Sequence, residues 1–214
     1  MKNRSFPIVP EGFLFFIPPA LIALASAFFG WYIVAVIFTL FALFVLWFFR
    51  NPRRTIPADP KGLVSPADGR LLKIEDGENH EHLPGKYKKI SIFMNVFNVH
   101  VNRAPCAGMV RKINYHEGKF LSANLDKASA ENERNALTIT TADGQDILVI
   151  QIAGLVARRI VCWTEEGKQL EKGERFGLIR FGSRLEVFVP RDTVIFVSPG
   201  DKVTAGETVL GQLS

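Results

Sequence analysis

The chain has 214 residues, which is enough for one ordinary domain and an accessory segment. Its formal net charge is +5, but residues 1–54 carry +4 of that charge, so the remaining chain lacks the strongly basic balance of a nucleic-acid-binding domain. The two cysteines, Cys106 and Cys162, are too few for a disulfide framework or a zinc site, and we expect free thiols in a reducing compartment.

Residues 12–49 form an uncharged stretch of 38 residues. One helix needs about 20 apolar residues to cross a bilayer, so the stretch has room for two. Pro18 and Pro19 interrupt its first half and Gly30 lies near its middle, which predicts a transmembrane or membrane-embedded helical hairpin over residues 13–29 and 31–49. The stretch is too long for a signal peptide. A helix pair lying within one leaflet is the alternative.

Basic residues flank this hairpin on both sides. By the positive-inside tendency both flanks belong in the cytoplasm, and each basic residue attracts anionic headgroups by about 1 kcal/mol. The sequence therefore predicts a cell-membrane anchor over residues 1–50, a linker over 51–62 and a folded domain over 63–214 at the cytoplasmic face. The basic residues are Lys2, Arg4, Arg50, Arg53 and Arg54.

Residues 63–214 show a pattern of short strands bounded by Gly, Pro, Asn or Asp, which is typical of an all-β sandwich or barrel. The polar segment 76–86 is expected to be a loop, and residues 120–135 a helix or long loop, because they lack strand periodicity. The predicted strands are residues 63–74, 88–95, 100–103, 108–115, 137–141, 147–153, 158–163, 177–181, 185–189, 193–197 and 208–213.

A short near-repeat occurs at the two ends of this domain. Residues 64–69 read VSPADG and residues 197–202 read VSPGDK, each a strand exit into a Pro and Asp turn. The second copy continues into a turn, residues 203–207, that is similar to the turn of lipoyl and biotinyl carrier domains. The sequence predicts a mainly β fold, a lipoyl/biotinyl-carrier-like β-sandwich hybrid with the N-terminal hairpin.

The pair Gly182-Ser183 lies between a Gly-rich approach, residues 172–177, and an alternating apolar run that ends at Pro190. In that setting, and with the segments 65–69 (SPADG), 100–105 (HVNRAP) and 132–135 (NERN), the chain resembles the short phosphatidylserine decarboxylases over residues 51–213. The resemblance implies decarboxylation of phosphatidylserine to phosphatidylethanolamine through a Schiff base to a pyruvoyl group.

The same resemblance implies that Ser183 supplies this covalent cofactor by self-cleavage at Gly182-Ser183. The enzyme would bind phosphatidylserine in the membrane. Its two cleaved chains, 1–182 and 183–214, would form a heterodimer, and further oligomerisation is left open. Neither nucleic acid nor a metal is expected. The spacing of His80 and His82 would allow both to bind one metal ion, but alternate histidines of this kind are more often found in a solvated turn.

Self-cleavage requires the Ser183 hydroxyl to attack the preceding carbonyl, and an unactivated hydroxyl needs a base within hydrogen-bond reach. His100 matches a histidine of the family pattern and is our first choice. Asp68 matches the acidic partner that would orient the imidazole. Longer family members carry a second histidine where this chain has Arg103, so either His100 takes over that duty or another group does. Oxyanion donors are expected from nearby backbone amides.

Arg134 is our candidate for contact with the lipid phosphate.

A different class of function is a non-catalytic, lipoyl-like membrane adaptor, which would need a modified lysine in a hairpin turn or long coiled-coil insertions. Neither feature is evident in the sequence. A membrane-tethered serine hydrolase is a third reading, but Ser183 lacks the Gly-x-Ser-x-Gly setting of such enzymes.

Overall fold

The structure, a computed structural model, describes residues 6–118, 131–154, 159–180 and 182–214. The chain divides into two compact units, Met1–Arg53 and Arg54–Ser214.

The first unit is a pair of apolar helices that pack against each other, α1 (Phe13–Phe28) and α2 (Tyr32–Phe48). Gly30 joins them with a φ of 76°, a left-handed conformation that glycine adopts without strain. Both helices end within one residue of the predicted bounds. The helical stretch Pro10–Phe28 is long and apolar enough to cross a membrane, and α2 is slightly shorter.

The described residues of the second unit form fourteen strands, and all of their pairings are antiparallel. The prediction of a mainly β fold is confirmed. The strands are β1 (Gly62–Val64), β2 (Gly69–His80), β3 (Leu83–Met94), β4 (Val101–Arg103), β5 (Gly108–His116), β6 (Arg134–Thr140), β7 (Asp146–Ala153), β8 (Ile160–Cys162), β9 (Gln169–Leu170), β10 (Arg175–Ile179), β11 (Ser183–Pro190), β12 (Val194–Ile195), β13 (Lys202–Val203) and β14 (Val209–Gln212).

Eight of these strands form the main sheet in the order β13-β2-β3-β11-β7-β6-β5-β9. Strand β11 therefore lies inside the sheet, between β3 and β7. Two three-stranded sheets, β1-β14-β12 and β4-β10-β8, complete the unit.

Alternate side chains of β11 serve different faces of the main sheet, as the two-residue period of a strand requires. Leu185, Val187 and Val189 belong to the main core, which also contains Ile90 and Ile92 of β3. On the other face, Phe188 belongs to a smaller apolar cluster with residues of β6 and β7. Burial on both faces fixes the register of β11, because a shift of one residue would exchange the two sets.

The structure differs from the prediction in the polar segment 76–86. The expected loop there is wrong, because β2 and β3 continue through it as a hairpin in which His80 pairs with Leu83. Cross-strand ion pairs support this ribbon, with Lys89 contacting Glu75 at 2.8 Å and Glu78 at 3.5 Å. Most of the expected helix or loop over 120–135 lies outside the described residues, and β6 begins earlier than expected, at Arg134.

Candidate active site

Ser183 is the first residue of β11 and is fully buried. It pairs with Met94 of β3 on one side and with Ala153 of β7 on the other. Within the described part of the chain its Oγ has no hydrogen-bond partner. A buried hydroxyl without a partner is uncommon in folded proteins, and here it directly follows the Gly182 peptide group.

Gly182 precedes Ser183 in a left-handed conformation with a φ of 68°. Among the described residues, its chain neighbours aside, no atom lies within 4 Å of where a Cβ would stand, so the backbone conformation rather than crowding favours glycine here. Both polar groups of Gly182 are engaged. Its carbonyl oxygen accepts a hydrogen bond from the Gly154 N–H at 3.1 Å, and its own N–H donates to His100 Nε2 at 3.4 Å.

His100 is buried next to this peptide, immediately before β4. Its Nδ1 lies 3.0 Å from the backbone oxygen of Asn98, so Nδ1 carries the proton and Nε2 presents its lone pair. Asn98 is itself fixed by a turn, since its side chain accepts from the Asn95 N–H at 2.9 Å. The arrangement holds a neutral imidazole of defined tautomer against Gly182, which is the state a general base needs.

Asp68 is held by different partners from those expected. Its carboxylate accepts two hydrogen bonds from Arg54, at 3.0 and 2.8 Å, and one from the Ala205 N–H at 2.8 Å. None of its hydrogen bonds within the described residues goes to His100. The imidazole is oriented by the Asn98 carbonyl in the uncleaved chain, and a role for Asp68 in orienting it stays a prediction.

Arg103 stands where the family resemblance implies a second histidine in longer members. It is buried, and its Nη1 donates to the Gly173 carbonyl at 2.8 Å. Burial, together with Arg175 and Arg54 nearby, lowers its pKa to about 10. Arg103 is therefore still a cation at neutral pH and offers no lone pair to accept a proton.

The segment 132–135 braces the end of β7 next to Ser183. Asn132 Nδ2 donates to the Ala153 carbonyl at 2.7 Å, and the Glu133 carbonyl accepts from the Ala153 N–H at 2.9 Å. The Glu133 carboxylate in turn accepts from the Ile160 N–H at 3.1 Å and from the Tyr115 hydroxyl at 2.8 Å. Burial and this carboxylate raise the pKa of Tyr115 to about 12, which keeps the hydroxyl a donor.

Arg134 lies on the other face of the sheet from the Ser183 side chain. It pairs with Ile152, which pairs with Arg184, and cross-strand partners share a face while successive residues alternate. Arg184 is buried on that face and binds Glu186 through two nitrogens at 2.9 and 2.8 Å. The structure does not bring Arg134 to the same face as Ser183, and its contact with the lipid phosphate stays a prediction.

Arg134 does line a cavity of about 220 Å³, and its neighbours there include His80, His82, Tyr115 and His116. Burial and the neighbouring His82 lower the pKa of His80, which favours a neutral ring at pH 7. Within the described ranges no group of three or more His, Cys, Asp or Glu side chains is placed to hold a metal ion.

Two contributors to this site escaped the sequence analysis by name, Gly154 and Asn98. Both contact the site through backbone atoms, although the Asn98 side chain also stabilises the turn that places its carbonyl. Gly154 reaches the Gly182 carbonyl through the register of β7 against β11, and Asn98 reaches His100 through a turn.

Comparison with known proteins gives consistent matches. The family model described as phosphatidylserine decarboxylase matches residues 41–211. A phosphatidylserine decarboxylase proenzyme of Syntrophus aciditrophicus is 55% identical over 214 residues, which is 99% of each chain. Proenzymes of the same name from Desulfotalea psychrophila and Geobacter metallireducens are 50% and 48% identical, over the full length of both chains in each case.

Proposed function

The chain belongs to the phosphatidylserine decarboxylase family, and on that premise we propose that it decarboxylates phosphatidylserine to phosphatidylethanolamine after cleaving itself between Gly182 and Ser183. It is a carboxy-lyase made as a proenzyme. One observation carries the proposal. The Ser183 hydroxyl is buried, and the residue before it, Gly182, is held on both sides: its carbonyl accepts from Gly154 and its N–H donates to His100.

The self-cleavage begins with attack of Ser183 Oγ on the Gly182 carbonyl carbon. The Oγ–C bond forms, the hydroxyl proton passes to His100 Nε2, and the carbonyl π electrons move to oxygen. Collapse of this tetrahedral species breaks the Gly182–Ser183 C–N bond, and the nitrogen takes up a proton. The peptide bond has then become an ester, with no atom gained or lost.

Elimination completes the cleavage. A base removes the Ser183 Cα proton, the Cβ–Oγ bond breaks, and Gly182 leaves as a carboxylate. The enamine left at position 183 takes up one water and releases one ammonia, which yields the pyruvoyl terminus. Burial of Ser183 keeps bulk water from hydrolysing the ester before elimination.

Residue 183 suits a pyruvoyl group, because its side chain is buried, faces the interior and has an unpartnered oxygen among the described residues. Such a group supplies an electrophilic carbonyl that accepts the electron pair left by the departing carboxylate. His100 lies next to this position and is the group that would hold or move a proton there. The roles of Asp68 in orienting His100 and of Arg134 in binding phosphate remain part of the proposal.

The two products of cleavage stay together as a heterodimer. The chain that starts at residue 183 contains β11, which is paired on both edges inside the main sheet, with β3 and β7. It also contains β12 and β14 of a second sheet and β13, which pairs with β2. Separating the chains would break four strand pairings, those of β11 with β3 and with β7, of β13 with β2 and of β14 with β1, and would expose the core.

The lipoyl/biotinyl-carrier-like hybrid is also part of the proposal. It is supported by pairing where the two near-repeat segments end: Gly69 pairs with Val203 and Arg70 with Lys202. The Leu71 N–H also donates to the Asp201 carbonyl, and the Gly200 N–H donates to the Leu71 carbonyl. The second turn therefore lies against the strand that follows the first, an arrangement that a two-fold related sandwich predicts.

The helices are proposed to anchor the enzyme at the cytoplasmic face of the cell membrane. Leu14 and Phe28 of α1 and Ile33 and Leu40 of α2 are all more than half exposed within the unit. Such a density of exposed apolar side chains is costly in water and favourable in lipid. The basic residues on both flanks favour the cytoplasmic side and an anionic lipid surface.

The intact mass of the active protein under denaturing conditions tests the proposed function. We expect a chain of 182 residues and one of 32 residues, the latter without a free amine at its terminus. Together they should weigh as much as the uncleaved chain plus one water minus one ammonia. An active preparation that consists only of uncleaved chain would refute the pyruvoyl mechanism.

Removal of residues 1–50 tests the anchor. The truncated protein should still cleave itself, because the described contacts of Gly182 and Ser183 lie in residues 54–214. Its turnover of phosphatidylserine in vesicles should fall. The preference of the full-length enzyme for anionic vesicles should weaken with salt, since charges are screened beyond about 8 Å at physiological ionic strength.

Short-chain phosphatidylserine dissolved as monomers is the matched control, because both proteins should turn it over equally. Equal turnover of vesicles by the two proteins at every salt concentration would show that the anchor has no role in substrate access.

A further inference from the structure

The Gly154 N–H donates to the carbonyl oxygen that Ser183 must attack. We propose that this N–H is the oxyanion donor for self-cleavage and that Asn132 is the residue that positions it. The inference rests on the self-cleavage proposed above and names the groups that stabilise its first transition state.

The chemistry at this carbonyl gives the hydrogen bond its role. When the Oγ–C bond forms, the carbonyl π pair moves to the Gly182 oxygen and a negative charge develops there. The Gly154 nitrogen lies 3.1 Å from that oxygen in the uncleaved chain, so a donor is in place before the charge develops. An ordinary sheet hydrogen bond therefore becomes charge-assisted as the reaction proceeds, and such bonds are roughly twice as strong as neutral ones.

Asn132 controls the direction of this N–H through a single rigid group. The Ala153 carbonyl and the Gly154 N–H belong to the same planar peptide unit and point in opposite directions. Asn132 Nδ2 binds the carbonyl end of that unit at 2.7 Å, while the N–H end binds Gly182. Fixing one end fixes the other. The bond from Asn132 also polarises the peptide, which makes its N–H a stronger donor.

Asn132 is well placed for this role because it is fully buried and its neighbour is held firmly. The Glu133 carboxylate accepts from Tyr115 of β5 and from Ile160 of β8, and its backbone carbonyl accepts from the Ala153 N–H. The segment is thus tied to β5, β7 and β8. These hydrogen bonds give Asn132 and Glu133 a positioning role that does not involve contact with substrate.

The role ends with self-cleavage. Once Gly182 has left as a carboxylate, its carbonyl takes no part in the decarboxylation of a lipid at position 183. Loss of the donor should therefore slow conversion of the uncleaved chain and leave turnover per processed molecule close to that of the original protein. A merely structural role would lower both quantities together.

The sharpest test replaces the amide at residue 154 with an ester, by incorporating glycolic acid during cell-free translation of the full chain. This change deletes the N–H and keeps the rest of the backbone. Conversion of the full-length chain to residues 1–182 and 183–214 is followed by intact mass, which also distinguishes hydrolysis of the new ester. We expect cleavage to slow about 10² to 10³-fold, the usual effect of removing one oxyanion donor.

Asn132→Ala is the second variant and is expected to slow cleavage about 10-fold, as loss of one buried hydrogen bond would. Its turnover is measured per pyruvoyl-containing chain and should stay within about twofold of the original. Thr140→Val is the matched control. It deletes a 2.6 Å side-chain hydrogen bond to Asp146 at the far end of the same β6–β7 hairpin, and it should cleave normally.

Two outcomes would overturn the inference: normal cleavage of the ester variant, or a parallel loss of cleavage and turnover in Asn132→Ala. Failure of the unmodified chain to cleave would instead refute the proposed function itself.

Discussion

Replacing Ser183 with alanine is expected to leave one uncleaved chain of 214 residues without decarboxylase activity. The variant keeps the strand pairs of β11 with β3 and β7, because these use backbone atoms. It lacks the nucleophile for the ester, and it also lacks the oxygen whose departure leads to the pyruvoyl group. No other residue can supply that group at this position, so the loss of activity should be complete.

The fold supplies a matched control on the neighbouring strand. Ser91 of β3 is also fully buried, and its Oγ likewise has no partner within the described residues. Ser91→Ala therefore removes the same group from the same sheet without touching the cleavage site, and it should be processed as the original chain is. Cleavage in Ser183→Ala, or lost cleavage in Ser91→Ala with intact folding, would contradict the assignment of the nucleophile.

The resemblance to the phosphatidylserine decarboxylases identifies Gly182 and Ser183, and the chemistry explains why these two residue types stand side by side. Ester formation needs a hydroxyl, and the preceding residue needs a left-handed backbone that glycine provides, here with a φ of 68°. The apolar hairpin is equally visible, since a long uncharged stretch has few alternatives. Both features can be identified from the sequence without knowing how distant parts of the chain meet.

The surroundings of Ser183 depend on long-range register and were only partly predictable. His100 lies 82 residues before Gly182 in sequence and reaches it because β4 pairs with β10, which precedes the cleavage site. Gly154 reaches the same peptide through the β7–β11 register. A strand pattern shows which residues alternate, but it does not show which strands become neighbours.

Asp68 and the segment 76–86 illustrate competition between local signals and tertiary contacts. Asp68 sits in a Pro and Asp turn that matches the family motif, yet its carboxylate binds Arg54. The segment 76–86 is polar enough for a loop, yet Lys89 draws Glu75 and Glu78 into a ribbon. In both cases a basic residue elsewhere in the chain offers a partner that the local pattern does not reveal.

Replacing His100 with alanine is expected to slow self-cleavage about 10² to 10⁴-fold, the usual contribution of a positioned general base. His100 Nε2 accepts a hydrogen bond from the Gly182 N–H at 3.4 Å, and Nδ1 lies against the Asn98 carbonyl. The lone pair of Nε2 is therefore directed at the residue before Ser183, where it can take the hydroxyl proton as Oγ attacks. Arg103, where longer members of the family are expected to carry a second histidine, remains a cation with a pKa of about 10 and does not substitute.

His100→Gln separates positioning from proton transfer. A glutamine oxygen can still accept the Gly182 N–H, but an amide does not act as a base, so this variant should cleave nearly as slowly as His100→Ala. His82→Ala removes an imidazole of the β2–β3 hairpin and should cleave normally. The fraction processed over time reports on self-cleavage, and turnover per processed molecule reports on decarboxylation. Rapid cleavage in His100→Gln would assign His100 a positioning role, whereas normal cleavage and turnover in His100→Ala would remove it from the mechanism.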